Sequence, residues 1–375
     1  MIIPTFRRIF VLLCVLAHSA HADSPFILGP EFSAGSQPWA CIVGDIYAGG
    51  GVDLAVANYA VPGYATVLVG NGAGGFAAVT QPPIEKAPNG LAAADFNSDG
   101  KLDLVVSSIS NDPVDIVSVM LGNGNATFSE PVEYEVGGFP FFVKAPDLNN
   151  DGKPDIVVVS GTQDMVSVML GVGDGTFAQR VDYPLGLSPT NILVKDVNGD
   201  GFADVVVSAN SFFAAFVILK GVGDGTLLPP QFSGASGFYF GVAADDFNRD
   251  GHMDVALLNR AAPEVDVFLA DNLGHFGSFV SLPTDSNIGS IASGDLFGDG
   301  QIQIITAGYS GVRLFHAHED GSFQDMGLIP GAYGGYDIVI ADVNGDSALD
   351  IVSPDSSRLV SRVLLNQSVF RGGFD

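Results

Sequence analysis

Five nine-residue runs place oxygen-bearing side chains at alternate positions: DFNSDGKLD (95–103), DLNNDGKPD (147–155), DVNGDGFAD (196–204), DFNRDGHMD (246–254) and DVNGDSALD (342–350). With the first aspartate as position one, carboxylates stand at one, five and nine and an asparagine at three. Glycine follows at six, except where Ser347 replaces it. So much negative charge between apolar runs is costly unless a cation sits in it. Hard oxygens on alternate residues around a glycine turn suit calcium, with the backbone carbonyl of position seven as a further donor. The expected ligands are Asp95, Asn97, Asp99, Asp103 and the Lys101 carbonyl, then Asp147, Asn149, Asp151, Asp155 and the Lys153 carbonyl. The next two sets are Asp196, Asn198, Asp200, Asp204 with Phe202, and Asp246, Asn248, Asp250, Asp254 with His252. The last is Asp342, Asn344, Asp346, Asp350 with Ala348. No glutamate stands at position twelve and the flanks read as strands, so these are not EF-hands. Magnesium rarely takes an all-protein cage, which favours calcium.

Two decayed copies complete the series. DLFGDGQIQ (295–303) has lost ligands to Phe297 and Gln303, and DIYAGGGVD (45–53) offers only Asp45 and Asp53. About five Ca2+ sites are therefore expected, with Ser347 weakening the last.

Each loop needs two strands to hold it, and the repeat supplies them. The first aspartates fall at 45, 95, 147, 196, 246, 295 and 342, spaced 47 to 52 residues apart, a period in the range of propeller blades. A glycine turn of the type VMLGVGDGTF (168–177) marks six units, and its last residue lies 19 residues before the next first aspartate. Each unit reads as four short strands: the run into the loop, the run after it, the run into the glycine turn, and the stretch beyond. Counting 19 back from Asp45 reaches Phe26, which has no preceding strands, while the C-terminal unit supplies three strands and stops. The N-terminal strand is expected to complete the C-terminal blade, closing an all-β, seven-bladed propeller over 23–375 and removing an exposed edge. An open solenoid is the alternative and would not need this complementarity.

These repeats resemble FG-GAP/VCBS repeats, the unit of the integrin α-chain propeller and of many secreted bacterial proteins, over essentially all of 26–375. The Gly-Ala-Pro that names the family is absent after strand two, where VVSS, VVVS and VVSA stand, which moves the chain toward the bacterial VCBS type. The resemblance implies a calcium-stabilised propeller, often in adhesion or carbohydrate binding and sometimes attached to enzymes.

Composition narrows the partners. With 42 acids against 15 bases the formal charge is −27, which argues against nucleic acid or an anionic membrane surface. Arg7 and Arg8, the apolar run IFVLLCVLA (9–17) and AHA (20–22) read as a signal peptide cut after Ala22, so a secreted, periplasmic or extracellular location is expected. Cleavage leaves Cys41 alone, without an intrachain disulfide partner. No later run is long and apolar enough to span a bilayer. A monomer is expected.

Alternating strands sort the loops onto two ends. Acidic loops and glycine turns share one end; loops between strands two and three share the other with the crossings between units. Six residues before each first aspartate stand Trp39, Asn89, Phe141, Thr190, Phe240, Gly289 and Tyr336, placing four aromatics in phase around the axis. Phe139, Phe142, Phe238, Tyr239 and Tyr333 stand beside them, and Phe212 and Phe213 lie in a two-to-three loop. This ring is the expected contact surface for a glycan or protein ligand, by stacking on sugar rings or anchoring a peptide. Filling of the channel mouth and packing between blades is the competing account of the same residues. Catalytic motifs are absent: GNGAGG (70–75) is a turn, and His316 and His318 lack a third ligand. The sequence favours a non-catalytic binding module; a polysaccharide lyase or hydrolase with its site in the variable loops, and a purely structural repeat, are the alternatives.

Overall fold

Runs such as LVVSS and IVVVS are β-branched, too short for helices, and bounded by glycine turns, so they pair as strands. The computed structural model describes residues 24–49, 51–84, 86–109, 115–234, 236–271, 274–286, 288–355 and 360–367; the leader expected over 1–22 lies outside them. Among the described residues every regular element is a strand, and no helix is long and apolar enough to cross a membrane.

The unit opening at Asp95 shows the pattern. Ala87–Ala94, Asp103–Ile109, Asp115–Met120 and Val132–Val136 pair antiparallel in sequence order. Asp115–Met120 is buried along its whole length and Asp103–Ile109 along all but its last residue, whereas Val132–Val136 is largely exposed. Strands covered on both faces lose the apolar–polar alternation of a half-exposed sheet, which is why they read as continuous apolar runs. The Asp147 and Asp295 units form four-stranded sheets of the same order. The Asp45 unit adds a fifth short strand, Pro83–Ile84, beside Gly63–Gly70. The Asp196 and Asp246 units, Ser188 to Pro283, are joined into one eight-stranded sheet by the pairs Asn210↔Phe238 and Ser211↔Gly237.

The last sheet mixes the two ends of the chain. Phe26–Phe32 pairs antiparallel with Ser361–Asn366, from Phe26↔Asn366 to Phe32↔Ser361, beside Asp350–Ser353 and Val339–Ala341. Arg362 and Glu31 form an ion pair across the same two strands.

The core lies between sheets. Leu104 and Val106 pack with Ala55 and Val67; Val157 and Val159 pack with Val205 and Val207. Val352 and Val363, from the end of the chain, pack with Val56 and Leu68 from its start. Each fully buried Val or Leu contributes about 1.5–3 kcal/mol, so these interfaces are the main source of stability. First-strand residues, among them Cys41, Val143, Ile192, Ala243, Ile291 and Ile338, surround a central cavity of about 440 Å³. The architecture is all-β and propeller-like.

Candidate functional site

The aromatic ring is organised by a repeated backbone irregularity. In six units the register between strands one and two shifts at the same place: between Pro38 and Ala40, Pro88 and Gly90, Pro140 and Phe142, Pro189 and Asn191, Tyr239 and Val242, and Ile288 and Ser290. The residues skipped include Trp39, Asn89, Phe141, Thr190, Phe240 and Gly289, the positions singled out by phase. A β-bulge leaves its extra residue unpaired and re-aims the side chain.

Several of these bulge residues meet a neighbouring unit. Thr190 Oγ1 donates to the Tyr239 carbonyl at 2.7 Å, and a Cβ on Gly289 would lie 2.4 Å from the Gly335 carbonyl. The Trp39 ring stacks on Tyr336 with centroids 4.2 Å apart. Part of the ring therefore packs unit against unit.

The nine aromatics proposed from sequence divide accordingly. Trp39, Phe141, Phe240, Tyr333 and Tyr336 are half-buried at the rim, and Phe139 and Phe238 are exposed. Phe142 and Tyr239 are buried. They flank the bulge on the inward side, Phe142 in the core between the Asp147 and Asp196 units and Tyr239 in the next one. Buried Tyr239 donates its hydroxyl to Asp266 at 2.8 Å, and burial with that bond holds its pKa above the ordinary tyrosine value.

The sequence reading missed a second ring, fourteen residues after each first aspartate: Tyr59, Ile109, Gly161, Asn210, Arg260 and Tyr309. In two units this residue covers its own bulge aromatic, Tyr59 at 5.4 Å from Trp39 and Arg260 with its guanidinium 4.0 Å from the Phe240 centroid. Gly289 gives Tyr309 nothing to cover, and Tyr309 instead meets Tyr336 of the following unit, hydroxyl to hydroxyl at 2.7 Å. That bond, with burial, raises the pKa of Tyr336. A cavity of about 390 Å³ opens there, between Arg260 and Asn259 on one side and Tyr309 and Tyr336 on the other, with Asp285 and Ser286 at its edge. Its size is that of a small-molecule pocket.

At the opposite end, the acidic loops share one hydrogen-bond pattern apart from the Asp196 loop, whose first carboxylate accepts from positions three, four and six. The position-one carboxylate accepts the backbone N–H groups of positions five and six, at 3.0 and 2.8 Å for Asp95 with Asp99 and Gly100. Asn97 Oδ1 also accepts from Asp99 N, and Asp99 Oδ1 accepts from Lys101 N. The turn is left-handed at position six, with φ of 81° at Gly100 and 72° at Ser347, and also at position four, where Ser98, Asn150 and Arg249 have φ of 56° to 58°.

Position nine behaves differently. Asp103 is buried and accepts from Phe96 N at 2.8 Å and from Gly122 N at 2.7 Å, tying the loop to the end of strand three. Asp155, Asp204, Asp254 and Asp350 make the same two bonds in their own units. In the decayed loop Gln303 takes the position-nine role, its Oε1 accepting from Leu296 N at 2.6 Å. Burial, with the carboxylates at positions five and one adding repulsion, raises the position-nine acids, Asp254 to about 7 and Asp350 to about 6. A cation in the loop would relieve that repulsion, so the donor chemistry fits calcium. Among the described residues no three acidic, His or Cys side chains gather into a metal cluster. The Asn at three and the carbonyl at seven would have to complete any shell.

An FG-GAP-like repeat profile matches six times, over 45–106, 95–158, 147–207, 196–257, 246–306 and 295–353, each match beginning on a first aspartate. The chain belongs to the FG-GAP-like repeat family. No curated protein matches it in sequence. Among solved structures, this FG-GAP-like chain is similar to BBS1N, determined in complex with ARL6DN, with TM-score 0.64 and 12% identity over 92% of this chain and 97% of that one. It is also similar to an Agrocybe aegerita lectin that recognises non-reducing terminal N-acetylglucosamine, with TM-score 0.54 and 19% identity over 83% and 87% of the two chains. A periplasmic gluconolactonase of Pseudomonas aeruginosa aligns with TM-score 0.52 and 17% identity over 74% and 82%. Likeness at such identities concerns the fold.

Proposed function

We propose that this FG-GAP-like protein is an exported, calcium-stabilised binding module that recognises a glycan through the rim opposite its acidic loops. The observation that carries the reading is the pocket of about 390 Å³ at the rim, where tyrosine faces, a guanidinium and hydroxyl-bonding groups converge. Such a mixture of aromatic faces and a few polar groups suits a sugar ring.

The reading includes a closed, seven-bladed ring. The eight-stranded sheet divides naturally at its two-pair join into two four-stranded blades, which brings the count to seven. Closure is supported by Phe26–Phe32 on Ser361–Asn366 and by the core shared between Val56, Leu68, Val352 and Val363. The five intact loops, beginning at Asp95, Asp147, Asp196, Asp246 and Asp342, are proposed to hold one Ca2+ each, while those at Asp45 and Asp295 hold none.

A glycan array probed with the full mature chain in millimolar calcium tests the function. Binding to a defined glycan class is expected, lost when the rim residues Tyr309 and Tyr336 are changed together to alanine. A blank array, with the protein folded, would sink the reading.

A further inference from the structure

We infer that the rim pocket takes a saccharide carrying a single carboxylate, a hexuronate-type ring, with its carboxylate on Arg260 and its ring against Tyr309 and Tyr336. The inference rests on the glycan-binding reading above and names the class of sugar.

Arg260 is the first observation. In a chain with 42 acids and 15 bases, arginines readily find carboxylates. Arg313 holds Asp285 at 3.1 Å and Asp325 at 2.6 Å; Arg180 holds Asp182 and Arg249 holds Glu319. Among the described residues no carboxylate pairs with Arg260, although Arg260 lines the cavity. It is also held in place. Its backbone N–H donates to the Phe238 carbonyl at 2.7 Å, and its guanidinium lies over Phe240. Asn259 Oδ1 fixes the following turn by accepting from Ala261 N and Ala262 N. A preorganised guanidinium fork matches a carboxylate with two parallel hydrogen bonds.

The facing wall supplies the rest. Tyr336 is backed by Trp39 and locked to Tyr309, so two rigid aromatic rings border the space. Ser286 and the Asp285 carboxylate, itself steadied by Arg313, offer partners for ring hydroxyls. A carboxylate, an apolar ring face and several hydroxyls together describe a uronate better than a peptide end, which brings no ring hydroxyls. The net charge of −27 repels polyanions, so one charge per ligand is favoured over an acidic polymer.

The test is titration calorimetry on the full mature chain in calcium buffer with methyl β-glucuronide, methyl β-glucoside, acetate and a short peptide with a free C-terminus. Glucuronide should bind at least about tenfold tighter than glucoside or acetate, the worth of a charge-assisted hydrogen bond. Arg260→Gln should bring glucuronide down to the glucoside level, a loss of roughly tenfold to a hundredfold, and leave glucoside unchanged. Tyr309→Ala should weaken both sugars together. Equal affinity for the two sugars, acetate or peptide matching glucuronide, or an Arg260→Gln variant of unchanged melting temperature that still prefers glucuronide would each overturn the inference. If glucuronide fails while the glycan array shows binding, only this inference falls; if both are blank, the binding reading falls with it.

Discussion

Changing Asp103 to alanine should destabilise the protein even without calcium, whereas changing Asp99 to alanine should matter only when calcium is present. Asp103 is buried and satisfies two backbone donors, Phe96 N and Gly122 N. Leaving a buried donor unsatisfied costs about 1–3 kcal/mol, so two cost roughly 2–6 kcal/mol. The carboxylate's own burial penalty, visible in its raised pKa, offsets part of this and places the expectation toward the lower half of that range. Asp99 lies at the surface, where it accepts from Lys101 N and pairs with the Lys101 ammonium at 3.0 Å. An exposed pair of that kind is worth at most about 1 kcal/mol. Extending the size trend of melting data to this length gives about 1–2 °C per kcal/mol. In excess chelator, Asp103→Ala should therefore melt several degrees below the wild type and Asp99→Ala within about 1–2 °C of it. In calcium, Asp99→Ala should lose much of the ion's stabilisation at that loop. Differential scanning calorimetry of the three proteins, with and without calcium, reads all of this. If Asp103→Ala in chelator melts with the wild type, the staple does not exist; if Asp99→Ala is as damaged in chelator as Asp103→Ala, the separation of roles is wrong.

Three further outcomes are expected. Metal analysis after dialysis against calcium should return about five ions per chain, with chelation lowering the melting temperature; a count near zero or an unmoved melt would remove the calcium assignment. Ser347→Gly should stabilise by roughly 1 kcal/mol, because Ser347 stands at φ 72° where the four other intact loops have glycine; a lower urea midpoint in the variant would contradict the strain argument. His316, packed against Phe297 and bonded to Gln303, has its pKa lowered, chiefly by burial. The unfolded chain then binds the proton more readily, so stability should fall as pH drops through the ordinary histidine value toward the lower folded one, and His316→Gln should flatten that fall. Parallel pH profiles of the two proteins in chemical denaturation would refute it.

The repeat, its strands and the two ends of the units were legible because period and phase are properties of sequence. Aspartates at a fixed spacing need no coordinates to be aligned. The bulge in strand one was half-legible: Pro38, Pro88, Pro140 and Pro189 stand one residue before it, and proline within a sheet is confined to edges and bulges. Without the bulge, strict alternation could not say which neighbours of Phe141 and Phe240 turn inward, and Phe142 and Tyr239 were placed on the surface. Position nine has a second role that the sequence hides, for another reason. An aspartate serving a metal and one serving two backbone N–H groups look identical in sequence, and only Gln303 in the decayed loop hints that acceptor geometry matters more there than charge. Arg260 and Tyr309 were missed although the phase argument that found Trp39 applies equally to them. Tyr59, Arg260 and Tyr309 differ in chemistry, and it took the contacts on Trp39, Phe240 and Tyr336 to make them one class.

The two ends of the repeat solve different problems with the same tandem copies. At the acidic end every unit needs its loop tied to strand three, and the tie is a local acceptor that a carboxylate or an amide provides. The loop at Asp295 has lost the asparagine at three and the aspartate at nine and keeps its fold, because Gln303 still accepts from Leu296 N and its amide nitrogen meets His316 Nδ1 on strand three at 2.9 Å. At the rim the units need only to touch their neighbours, and they do so with whatever stands at the bulge: a ring on a ring at Trp39 and Tyr336, a hydroxyl on a carbonyl at Thr190, bare backbone at Gly289. That tolerance is what admits a pocket. At Trp39 and Phe240 the residue fourteen beyond the first aspartate lies against the large bulge side chain. At Gly289 there is nothing to cover, so Tyr309 swings to Tyr336 and space opens beside Arg260. Placing a large side chain at Gly289 would drive its Cβ to 2.4 Å from the Gly335 carbonyl. It should therefore damage the rim through the backbone, while the acidic loops, tied within their own units, keep their hydrogen bonds.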